Sequence, residues 1–174
     1  MSTLLPDQAL FLRDTMLRAL QAEQLVTVRV IEAIPPDKGD FRMDPVGKTA
    51  LDLAWHIVGA EHKFLDLVVT GAFDTSPAPR PGHLDSAAAV ARWFAETSRA
   101  DQARVAAAPA EALAKIVDFR GIIKLPAVAF LQIGLNHSIH HRGQLSMYLR
   151  PMGAKVPAIY GESYDSAQAR LAGA

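Results

Sequence analysis

The sequence predicts an all-α protein: a single four-helix bundle domain over residues 1–174 with long crossover loops. Three observations carry this expectation. Four segments of about twenty residues repeat apolar side chains at helical spacing. Proline- and glycine-rich breaks separate them. The 174 residues, half of them hydrophobic, suit one domain with its own core. Helices of that length are rods of about 30 Å, and four of them bury their apolar faces most simply against one another.

The first segment runs from Asp7 to Ala33, with Leu10, Leu17, Leu20, Gln24, Val28 and Ile31 in one stripe and Asp7 as N-cap after Pro6. Pro35-Pro36 ends it, because proline lacks an amide and clashes with the preceding turn. Thr49 caps the second segment, with Asp52 three residues on in a variant of the capping box, and Gly71 stops it. Pro77, Pro79, Pro81 and Gly82 make residues 71–83 a long crossover loop. The third segment, Asp85 to Ala107, starts at Asp85 or Ser86 and buries Val90, Trp93, Phe94 and Thr97. Weak alternation over 116–121 suggests an extended connection. Pro126 then opens the fourth segment, which ends at Leu149 before Pro151 and Gly153. One short helix is expected after Gly161.

Composition excludes several roles. Eighteen acidic and eighteen basic residues balance, so no electrostatic case exists for nucleic acid or an anionic membrane as partner. No cysteine is present, which rules out disulfides, thiolate ligands and a cysteine nucleophile. The opening residues show no basic region followed by an apolar core, and no apolar run is long enough to span a bilayer. The expected location is the cytoplasm.

The chemistry concentrates in Asn136-His137-Ser138-Ile139-His140-His141-Arg142-Gly143-Gln144. His137 and His141 are spaced i, i+4, which puts them about 40° apart on one helix face. His56 sits in a second apolar segment, and two facing helices would unite the three imidazoles. Three neutral imidazoles suit zinc, nickel, iron(II) or copper and leave a coordination position open for water or substrate. Gly59, Ala60 and Gly134, each one turn from a ligand, are read as space for the ion.

Other polar residues compete for roles. Asp52 shares the face of His56 and is either a fourth ligand or partner of a ligand, or simply part of the cap. His140 is an alternative to its neighbours. His62 lies far around the helix from His56 and is assigned to the surface, and His83 has no spacing partner. Lys63 and Tyr148 are candidates to enter the pocket. Arg142 is expected to pair with Glu61 or Glu23 on another helix.

These motifs resemble the DinB/YfiT-like family of metalloenzymes. The upstream histidine His56, followed about eighty residues later by the HxxxHRGQ signature at His137–Gln144, carries the resemblance. It covers most of the chain, up to the tail at Pro157. It implies a four-helix bundle in a mirror variant of up-and-down topology, and a divalent metal, nickel or zinc first and iron next. By matching positions it implies His56, His137 and His141 as the ligands, and it also implies homodimers. Activities in the wider superfamily include low-molecular-weight thiol transfer and thiol-dependent isomerisation.

Two function classes follow. One is a metal-dependent transferase or hydrolase acting on a small-molecule substrate, with a low-molecular-weight thiol as a candidate partner. The alternative is a non-catalytic metal- or small-ligand-binding bundle protein; a third is a dimeric interaction protein whose histidines have lost their metal. Leu65 with Val69, and Trp93 with Phe94, cannot all face one bundle axis, which calls for a further partner: the tail or a second copy.

Overall fold

A computed structural model describes residues 4–173. It is mostly helical. Four long helices, α1 (Pro6–Glu32), α2 (Ala50–Thr70), α3 (Ala87–Ala106) and α5 (Phe130–Leu149), are joined by a short α4 (Ala110–Ala114) and followed by α6 (Tyr164–Ala172). Strands β1 (Ile116–Phe119) and β2 (Ile123–Pro126) form an antiparallel pair, and a 3₁₀ turn (Ala127–Ala129) leads into α5. Among the described residues, no helix is long and apolar enough to cross a membrane.

Cap chemistry sets most of the boundaries. The Thr49 hydroxyl accepts from the Asp52 amide at 3.0 Å, and Ser86 accepts from Ala89. Gly71 ends α2 at φ 74°, a left-handed conformation that glycine adopts without strain. Asp7 lies in the first turn of α1 rather than at its cap, which is Leu5.

The hairpin departs from the all-α expectation. In β1 the polar Asp118 stands between Val117 and Phe119, and Val117 is buried. The turn places Arg120 and Gly121 at φ 60° and 71°, with the Ile122 amide donating to the Phe119 carbonyl at 3.0 Å. Positive φ at both central positions is what a type I′ turn requires. Pro126 therefore closes a strand instead of opening the last helix.

Each long helix packs on two others: α2 on α3 and α5, and α1 on α3 and α5. The consecutive helices α1 and α2 thus lie across from each other, as do α3 and α5. The connection over 33–49 is a true crossover. The proline-rich stretch over 71–86 is not, since α2 and α3 are neighbours. Its length goes into folding back over α2: the Trp55 indole N–H donates to the Ala78 carbonyl (2.8 Å) and Arg80 pairs with Asp52 (3.0 Å).

Two apolar clusters fill the interior. One gathers Ile31, Leu53, Ile57, Phe94 and Leu149; the other gathers Leu20, Phe64, Leu67, Leu113 and Phe130. Mid-helix positions bury a polar set: Thr27, Glu61, Ser98, Asp101, Gln102, Ser138 and Arg142. Leu65 and Phe94 are buried within the chain, and Trp93 packs edge-on against Trp55. Those surfaces thus find cover inside one chain.

Candidate metal centre

The seam between α2 and α5 brings His56, His137 and His141 together. One nitrogen from each ring lies within 4.8 Å of the other two. Nε2 of His56 is 3.3 Å from Nε2 of His141. Two imidazole nitrogens about 2.0–2.1 Å from one tetrahedral ion stand about 3.3 Å apart. Nδ1 of His137 is buried without a partner among the described residues; an orphaned nitrogen of this kind is costly unless something other than protein satisfies it. Both observations fit a shared divalent ion.

The protonation of the rings suits metal ligation. Burial first, and the nearby His141 second, push the pKa values of His56 and His137 down to about 4. Both imidazoles therefore stay neutral where a free histidine would be half protonated. Nδ1 of His141 lies 2.7 Å from Oε1 of Gln144. An amide oxygen only accepts, so the proton sits on Nδ1 and the Nε2 lone pair is left for the ion. The Gln144 amide nitrogen in turn lies 3.2 Å from Nε2 of His140. Gln144 was given no role from sequence, although its positions i+3 and i+4 from the two histidines were visible.

His140 thus stands beside the triad and not in it. Asp52 does not join it either: its carboxylate holds Arg80, and its pKa is lowered although burial, the largest single effect, opposes this, because Thr49 and Arg80 outweigh it. His62 is only partly surface; its Nδ1 lies 2.6 Å from the buried Asp101 carboxylate. His83 is exposed on the loop.

A cavity of about 400 Å³ opens beside the triad, lined by His56 and His137 and walled by Trp55, Phe64, Phe73 and Phe119. Gly59 and Ala60 line it, as their small size suggested. Gly134 does something else. A Cβ there would lie 2.8 Å from Cβ of Phe64, so this glycine sets how closely α5 approaches α2. Lys63 enters the cavity but is held by the Asp74 carboxylate (3.3 Å) and by the Ser76 carbonyl (2.6 Å). The Tyr148 hydroxyl donates to the Lys48 carbonyl at 3.4 Å.

Behind the triad, Arg142 is 1% exposed and pairs with Glu23 at 2.6 Å, the second of its two expected partners. The Tyr160 hydroxyl lies 2.7 Å from Arg142 and 3.0 Å from Glu23, tying the tail to this pair. Glu61 accepts instead from Ser138 (2.7 Å), and its other oxygen has no partner among the described residues. Burial pushes its pKa up to about 7.

Comparison with known proteins bears on the same region. No curated protein matches the chain. A solved DinB-like protein from Bacillus subtilis is 22% identical, with a TM-score of 0.68 over 85% of this chain and 99% of that one. Another, from Bacillus cereus ATCC 10987, is 26% identical, with a TM-score of 0.69 over 84% and 97%. The sequence matches the DinB family over residues 1–172, and the chain belongs to that family.

Proposed function

We propose that this chain is a divalent-metal-dependent enzyme built on a four-helix bundle, with His56, His137 and His141 as ligands of nickel or zinc. The observation that carries this reading is the convergence of three nitrogens within 4.8 Å at the wall of a cavity. A bound ion would act as a Lewis acid, or lower the pKa of a bound water or thiol to near neutrality. The chain's own residues supply the rest. Gln144 orients His141, the aromatic walls exclude water, and the Lys63–Asp74 pair holds the loop at the mouth. The reaction class is transfer involving a low-molecular-weight thiol, or hydrolysis.

A second reading, a non-catalytic metal- or ligand-binding protein, draws support from Lys63 and Tyr148. Both are engaged elsewhere, so neither is a free general base. Elemental analysis of the purified protein, followed by a transfer screen with several thiols, separates the two. One ion per chain, lost in His137→Ala and His141→Ala and kept in His62→Ala and His140→Ala, is expected. Retention of the ion by both of the first two variants would sink the triad assignment. Metal without turnover in the screen favours the second reading.

A further inference from the structure

His56 lies between two cavities of different character. Trp55, His56 and Ala78 line both. The first is the aromatic cavity described above. The second, of about 430 Å³, is ringed by Arg42, Lys48 and Arg80, with Asp52 as the one carboxylate among its lining residues. Arg42 and Lys48 come from the 33–49 crossover and Arg80 from the 71–86 loop, so the cations converge from separate parts of the chain. Three cations less one carboxylate leave two positive charges. The whole chain is neutral, so this excess is local. Asp52 is already paired with Arg80. Arg42 donates only to the Gly47 carbonyl, and the Lys48 ammonium has no partner among the described residues. Lys48 and His56 line the same cavity. In the aromatic cavity Lys63 is cancelled by Asp74, which leaves Arg120 as a single positive charge against two in the second.

We infer that the second cavity is an anion subsite, holding a carboxylate or phosphate group of a small substrate whose other end reaches the histidines. The inference rests on the metal reading only for what happens at that other end. Arginine and lysine from two loops are a common means of gripping such groups. A mainly aromatic cavity and a more strongly cationic one meeting at His56 suit a reaction between an apolar partner and an anionic one.

The test uses ¹⁵N-labelled full-length protein dialysed against EDTA. Inorganic phosphate, succinate and the uncharged succinamide are titrated separately at constant ionic strength, which fixes the screening. The reporter is the Trp55 indole N–H, which bonds the Ala78 carbonyl at the cavity wall and is assigned through Trp93→Phe. Phosphate or succinate should give a saturable shift and succinamide none; whichever anion binds identifies the group. Arg42→Gln and Lys48→Gln should each weaken binding about two- to fivefold, and together about tenfold, the scale of exposed ion pairs. Arg120→Gln, which removes one charge from the other cavity, should leave it unchanged.

The inference is overturned if neither anion saturates, if succinamide shifts the signal equally, or if Arg120→Gln weakens binding as much as Lys48→Gln. Succinate binding that needs one equivalent of zinc and ignores Lys48 would also overturn it, since the anion would then sit on the metal. Elemental analysis judges the metal reading separately: anion binding by a protein that takes up no metal would leave the subsite standing.

Discussion

Gly134→Ala tests whether helix approach, and not empty space, builds the metal centre. The added Cβ would lie 2.8 Å from Cβ and 3.2 Å from Cγ of Phe64. Non-bonded carbons rest at about 3.5–4.0 Å, so α5 and α2 must part locally by about 0.7 Å. Overpacking of this kind costs about 1–3 kcal/mol. Replacing glycine in a helix interior returns about 1 kcal/mol. The net loss is about 0–2 kcal/mol, measured by urea denaturation of metal-free protein. The effect on the site is larger. His137 is one turn from Gly134, and the 3.3 Å separation of His56 and His141 spans the same seam. Opening it by about 0.7 Å gives about 4 Å, beyond what two nitrogens on one tetrahedral ion allow. Metal affinity should fall about 10- to 100-fold, the scale seen when ligand orientation is lost. Gly143→Ala is the control. It lies on the same helix, a Cβ there meets nothing within 4 Å, and it should gain about 1 kcal/mol with unchanged affinity. Wild-type affinity in Gly134→Ala would refute the reasoning.

Glu61 is protonated more readily when folded, with its pKa raised from 4.5 to about 7. The folded chain therefore holds a proton that the unfolded chain has lost, and stability should fall as pH rises from about 4.5 to 7, by at most about 3 kcal/mol. Glu61→Gln should flatten that part of the pH profile in urea melts, and an unchanged profile would remove Glu61 as its source. Arg142→Ala should cost about 3–5 kcal/mol, because Glu23 is left beside the core without its counter-charge; a loss below about 1 kcal/mol would count against a structural ion pair. A homodimer remains our proposal, now motivated by the exposed Phe11, Leu12 and Leu25 on α1. Sedimentation equilibrium at micromolar concentration should give twice the 18.8 kDa chain mass, and a monomer throughout would reject it.

Local signals carried most of the fold. Thr49, Ser86 and Gly71 mark helix ends by chemistry that acts within four residues, and the structure places the ends there. Pro126 misled because proline suits the end of a strand as well as the first turn of a helix. The hairpin was hard to see because its strands have four residues each and its turn uses arginine where asparagine or glycine is usual. The order of helices around the core left no mark that one chain can show: an apolar face needs cover, but does not name the helix that supplies it. At the site, i, i+4 spacing made the pair on α5 legible. The tertiary contacts of Gly134 with Phe64, and of Tyr160 with Arg142, depend on which segments meet.

The adjacency of His141 and Arg142 has a mechanical consequence. Successive residues turn by about 100° on a helix, so α5 shows His141 to α2 while Arg142 reaches α1. Rotation of α5 that carries His141 away from His56 must also strain the 2.6 Å contact between Arg142 and Glu23. Tyr160 braces that contact from the tail, and Ser138, next to His137, bonds Glu61 on α2. Each triad histidine on α5 thus has a neighbour anchored to another element. Buried polar groups of this kind weigh against stability compared with apolar packing. What they add is a defined rotation and register for α5, a quantity that apolar contacts alone specify poorly and that three nitrogens sharing one ion require.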